Sequence, residues 1–253
     1  MTSSSETTMR ASSTPASKVV GLTALVGIAA TVWLGLWVTP PDQVQGDVVR
    51  ILYLHAPVAW VAYLAFGITA LASILYLWPR TRDRRWDYLA GASAEIGVVC
   101  TAITLAIGSI WGRASWGVWW TWDARLTTTV LLLALFLGYL ALRRVPGDVE
   151  VRSRRSAIAA LVAAIDIPIV HMSVTWWRTL HQPPSVLKPD FLHPDIHGSM
   201  AWTLLLGFVS LTVGYAWLLI HRYRVEQMED ELEQHGLDIA IAERRAEAEL
   251  VRP

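Results

Sequence analysis

Six apolar runs of about 20 residues, at roughly 19–38, 57–78, 88–110, 126–142, 157–175 and 199–220, alternate with short polar connections along the chain. As a helix, each run is long enough to cross about 30 Å of hydrocarbon. The pattern predicts an all-α integral membrane protein with six transmembrane helices. The first run is too long for the core of a signal peptide, and Thr39, Pro40 and Pro41 follow it where a small-residue cleavage site belongs. It reads as a retained anchor.

The polar residues between the runs are unevenly charged. Arg10, Lys18, Arg80, Arg82, Arg84, Arg85, Arg143, Arg144, Arg152, Arg154, Arg155, Arg222 and Arg224 fall on one side, against Arg50, Arg113, Arg125, Arg178 and Lys188 on the other. The positive-inside rule makes the first set cytoplasmic and sends both termini there. Three domains follow: a disordered Ser/Thr-rich lead at 1–18, the six-span domain at 19–222, and a charged cytoplasmic tail at 223–253, helical or partly disordered. The external segments are then 39–56, the stretch between spans three and four, and 176–198.

Composition removes several alternatives. The chain is 54% hydrophobic with balanced charge and a mean hydropathy of +0.40, so it belongs to the membrane class and has no nucleic-acid footprint. Cys100 is the single cysteine, which excludes a disulfide within the chain, a CxxC redox pair and covalent haem attachment through CxxCH. A Walker A motif is missing, so the chain does not hydrolyse ATP by that route.

The chemistry concentrates on the external side. Residues 111–127, WGRASWGVWWTWDARLT, hold five tryptophans, one aspartate and two arginines. Flat indole faces beside fixed charges suit a large planar ligand with charged groups at one edge, and porphyrin has that form. If the segment is a short helix, Trp116, Trp119, Trp120 and Asp123 share one face at i, i+3, i+4 and i+7. The plainer reading is an aromatic belt at the membrane boundary.

Histidines share this side: His55, His171, His181, His193 and His197 lie there, against His221 and His235 opposite. Haem iron is commonly held by imidazole, and His55 in RILYLHAPVAW and His171 in PIVHMSVTWWRTLHQ sit on different helices at one level. Together they are placed to clamp a porphyrin from both faces, although either alone reads equally as an interfacial histidine bonded to a carbonyl. Arg50 and Arg125 are candidate partners for the propionates, because guanidinium pairs with carboxylate in a fork. Asp123 either belongs to the ligand surface or orients an arginine or the loop backbone. His181, His193 and His197 form a weaker zinc alternative that lacks Cys and Glu partners. Glu95 and Asp166 lie within spans and read first as structural.

These motifs resemble the CcmC family of haem-handling proteins of cytochrome c maturation, whose hallmark is a tryptophan-rich WWD loop. The likeness covers roughly residues 19–222. It implies that His55 and His171 ligate the iron of a transiently and non-covalently held haem b, with Trp116, Trp119, Trp120, Trp122 and Asp123 at the porphyrin edge. It also implies an inner-membrane location with the haem site toward the periplasm. The implied partners are a CcmE-type haem chaperone, the CcmA and CcmB subunits of an ABC transporter, and a small CcmD-type subunit. The expected role is transport and handling, not enzymatic catalysis. Two rival classes remain: a cytochrome b-type electron-transfer subunit, which needs histidines deep inside spans, and a solute transporter, which needs repeat symmetry and broken helices.

Overall fold

A computed structural model describes residues 14–182 and 196–250. Among the described residues six helical segments are long and apolar enough to cross a membrane: Pro15–Val38, Asp47–Leu77, Arg84–Trp116, Ala124–Arg143, Val149–Trp176 and Gly198–Arg245. The all-α, six-span expectation holds. Within them lie α1 (Pro15–Trp33), α2 (Leu52–Leu77), α3 (Arg84–Trp116), α4 (Ala124–Arg143), α5 (Val149–Ala164), α6 (Asp166–Trp176) and α7 (Gly198–Leu250).

Local chemistry sets the helix ends. Thr14 caps α1, with its hydroxyl accepting from the Ser17 amide while the Thr14 amide donates to Ser17 Oγ, and Pro15 takes the first turn. Helix therefore begins inside the expected disordered lead; residues 1–13 lie outside the described part. A π-helical turn, Leu34–Val38, closes the first span, and a 3-10 turn, Asp47–Ile51, opens the second. Span five is broken between α5 and α6, three residues before Pro168, which has no N–H to give. Asp166 is buried at this break, and its Oδ2 has no hydrogen-bond partner.

α2 is the hub, packed against α3, α5 and α7, while α1 leans on α7. Phe66 of α2 stacks on Phe136 of α4 at 3.7 Å, and Leu132, Tyr139, Ala160, Ala163 and Val170 complete that core. Small residues such as Ala65, Ala92 and Ala94 are fully buried and let the backbones approach. Buried hydroxyls bond back to helix carbonyls: Thr69 to Ala65 and Ala90, and Ser93 to Ala65. Large apolar residues such as Leu25, Leu71, Leu137, Val162 and Leu205 point outward, as a hydrocarbon solvent requires.

No helix end separates a membrane domain from a tail at 222/223, because α7 runs on unbroken. Its extension is tied down by charge. Arg222 pairs with Glu95 of α3, Arg143 of α4 with Asp87 and Glu226, Arg84 with Asp230, and Arg152 of α5 with Glu233. Glu95 is thus spent in an ion pair.

Candidate functional site

The tryptophan segment is organised by two helix ends. α3 continues through Trp116 and stops at Gly117, whose φ of 79° is the left-handed conformation that glycine adopts without strain. Residues 117–123 are irregular, and α4 starts at Ala124 with Asp123 as its cap. The separate helix with an i, i+3, i+4, i+7 shelf does not form, because Gly117 ends one helix and Asp123 begins another within seven residues. The tryptophans therefore split. Trp116 and Trp120 turn inward with Trp111, whereas Trp119 and Trp122 are 59% and 73% exposed.

The inward set walls a cavity of about 320 Å³ at this end of the bundle. That volume is in the range of small-molecule sites. His55, Trp111, Trp116, Trp120, Arg125 and His181 are its chemically distinctive lining, with Gln45 and Gln182 at the same wall. Elements distant in sequence supply them: α2, α3, the tryptophan segment, α4, and the strap after α6.

His55 is brought in by α2 and given room by α3. A Cβ at position 108 would stand 3.1 Å from its Cε1, so glycine there is what lets the ring lie against the helix. Trp111 meets the ring edge-on at 5.4 Å. Its Nδ1 is buried without a hydrogen-bond partner, an unsatisfied ligand atom at the cavity.

His181 arrives from the strap at 177–182. Asp123 does two jobs there: Oδ1 accepts from the Leu126 amide to cap α4, and Oδ2 accepts from the Leu180 amide at 3.0 Å. The aspartate thus orients loop backbone and holds the strap against Trp116, whose ring lies 6.5 Å from that of His181. His181 Nδ1 is 2.9 Å from the Gln182 carbonyl oxygen. A carbonyl only accepts, so Nδ1 carries the proton and Nε2 keeps its lone pair. Burial holds the imidazole below the ordinary histidine value of 6.5. Arg125 pushes the same way, opposed by the Gln182 carbonyl and Asp123.

Several expected site residues lie elsewhere. His171 is on α6, edge-on to Tyr63 at 6.3 Å; Tyr63 lines the cavity and His171 does not. Arg125 lines it, and its Nη1 also donates to the carbonyls of Val170 at 2.6 Å and His171 at 3.2 Å. Arg50 is not in the wall. It pairs with Asp47 and donates to the Gly35 and Thr39 carbonyls at 2.8 and 3.2 Å, closing the π-helical end of the first span. Among the described residues no group of three His, Cys, Asp or Glu side chains forms a metal site, and His193 lies outside them.

His181, Gln45, Gln182 and Tyr63 line the cavity without standing among the site residues expected from sequence. For His181 a signal existed: it shares an external segment with Trp176 and Trp177, and it is one of the histidines on the tryptophan-rich side. Gln45 carried none.

A family model described as heme exporter protein C matches residues 1–237. The chain is 39% identical to the heme exporter protein C of Bradyrhizobium diazoefficiens, over 79% of this chain and 80% of that one. It is 36% identical to the heme exporter protein C of Haemophilus influenzae, over 82% of each. A ccmC-like mitochondrial cytochrome c biosynthesis protein of Marchantia polymorpha is 37% identical over 72% of this chain and 75% of its own length.

Proposed function

Since the chain belongs to the heme exporter protein C family, with a role in haem export for cytochrome c biogenesis, we propose that it holds haem b non-covalently for handover at the outer face of the inner membrane. The receiver in this reading is a CcmE-type haem chaperone. The CcmA and CcmB transporter subunits and a CcmD-type subunit complete the assembly, and ATP is spent by the partners.

One observation carries the reading: His55 and His181, from α2 and from the strap, meet at a single cavity walled by Trp111, Trp116 and Trp120. The residues fit the cargo. His55 has a buried nitrogen without a partner, and His181 has its Nδ1 proton engaged and Nε2 available, the arrangement usual for a metal-bound imidazole. The indole walls suit the porphyrin faces, and Arg125 with the buried, unpartnered Nε1 of Trp120 suits the propionates. His181 thereby replaces His171 as the second proposed iron ligand, and of the two expected propionate partners Arg125 is kept and Arg50 is not. Trp119, Trp122 and the neighbouring Trp176 and Trp177 are exposed at the same end, a surface on which a chaperone can receive the exposed porphyrin edge.

Absorption spectra of the protein purified from haem-replete cells test the ligand pair. His55→Ala and His181→Ala are expected to lose the six-coordinate low-spin signature, and His171→Ala to keep it. A wild-type spectrum in His181→Ala with loss in His171→Ala would overturn the assignment.

A further inference from the structure

Gln45 stands between the two histidines in a way that the haem-handling reading does not require. It lies in the connection 39–46, which is folded into a tight turn. Asp42 and Gly46 exchange backbone hydrogen bonds of 3.1 and 3.0 Å, and Asp42 Oδ1 accepts from the Val44 and Gln45 amides, each at 2.8 Å. These amide bonds, Gln45 first, hold the Asp42 carboxyl below its ordinary 3.8. Gly46 has φ 58°, which lets the chain reverse. The backbone of Gln45 is therefore fixed before its side chain does anything.

The side-chain amide reaches two other elements. Oε1 accepts from Trp111 Nε1 at 2.9 Å, and Nε2 donates to Gln182 Oε1 at 3.2 Å. This orientation is forced, since an indole N–H only donates and its acceptor must be the amide oxygen. Trp111 is the ring edge-on to His55, and Gln182 is the residue whose carbonyl engages His181. A continuous chain of contacts thus runs from His55 through Trp111, Gln45 and Gln182 to His181. Asp123 pins the strap on one side of the histidine; Gln45 pins it on the other, at the cavity wall.

We infer that Gln45 is a positioning residue for the histidine pair: its amide fixes the strap to α3 and so sets the spacing of His181 from His55. The inference rests on the reading of this cavity as the haem site. The side-chain hydrogen bonds of Gln45 go to Trp111 and Gln182, through which it acts on the two proposed ligands. Both pins on the strap are solvent-exposed, but the bond to Gln182 is neutral where Asp123 accepts with a carboxylate, which makes the Gln45 pin the more easily opened of the two.

The test uses full-length protein in detergent or nanodiscs, loaded with haemin. Gln45→Met keeps the length of the side chain and removes both hydrogen bonds. The expected result is haem loss to an apo-myoglobin acceptor several-fold faster, up to about tenfold, the effect of the one neutral hydrogen bond that holds the strap. A fraction of the haem should also move from the low-spin to a high-spin five-coordinate spectrum. Gln182→Ala removes the strap bond to Gln45 and keeps the bond between Gln45 and Trp111; it should give the same change, and the double variant should add nothing to the Gln45 effect. Should Gln45→Met not fold, Gln182→Ala carries the test alone. Unchanged release and spin state in Gln182→Ala, with His181→Ala still losing the low-spin spectrum, overturn the positioning role and leave the haem site standing. If His181→Ala itself changes nothing, the reading beneath it has failed.

Discussion

His181 and His171 are ten positions apart, and helical propensity favours the wrong one for the cavity. His171 lies in an apolar helix end, where a sequence pattern can place it; His181 lies in a strap whose course is set by Asp123 Oδ2 and by Gln182. Nothing in local spacing announces a hydrogen bond across 57 positions of chain. The same contacts predict how His181 titrates. Burial and Arg125 depress its value, with the Gln182 carbonyl and Asp123 opposing. In the haem-free protein, NMR titration of His181 should therefore give a midpoint below 6.5. The unfolded chain takes the proton first on acidification, so this group leaves stability undiminished above 6.5 and lowers it as the pH falls toward the folded value. Arg125→Gln should move the midpoint up toward 6.5. No movement would mean that Arg125 does not face the ring.

At the scale of elements, hydropathy located all six spans because hydrocarbon penalises every exposed peptide group and leaves helices as the solution. It could not show where α3 ends within the tryptophan cluster. Gly112 and Gly117 are both glycines that can interrupt a helix, and only the second ends α3, while Asp123 starts α4; the residue types alone do not choose between the two glycines. The approach of α2 to α3 was equally hidden, since it depends on the absent side chain of Gly108. Gly108→Val is expected to displace His55 and abolish the low-spin haem spectrum while the helices remain, because the added methyls have no space beside the ring. Gly138→Ala on α4, where an added Cβ meets nothing within 4 Å, should leave the spectrum unchanged and gain roughly 0.5–1 kcal/mol of stability. Circular dichroism and the Soret band of the two variants together check this. A normal spectrum in Gly108→Val would show that α3 does not set the position of His55.

The whole molecule has two unlike ends. One is the histidine cavity; the other is a lattice of charge in which α7, beyond residue 222, is bound to the ends of α3, α4 and α5. The charges on both sides were plain in the sequence, but their pairing was not, since Arg143 and Glu226 are 83 positions apart. Arg143 is the centre of this lattice: it bonds to Asp87 at 2.6 Å and to Glu226 at 2.8 Å, lies over the Tyr139 ring, and is only 14% exposed. Replacing it leaves the largely buried Asp87 without its cation and Glu226 with only the longer pair to Arg222 at 3.5 Å. By contrast, Arg82 and Glu150 are 36% and 68% exposed at 3.4 Å, and water already does most of the work of that pair. Arg143→Met should therefore cost about 3–5 kcal/mol of unfolding free energy. Glu150→Gln should cost less than about 1 kcal/mol and lose even that in high salt. Denaturant unfolding of the two variants, followed by circular dichroism, separates the cases. Haem spectra of the folded fraction should match wild type in both, because neither change reaches the elements that carry His55 and His181. Equal destabilisation by the two substitutions would mean that the buried lattice is no more than surface charge, and that α7 is held to the bundle by its apolar face alone.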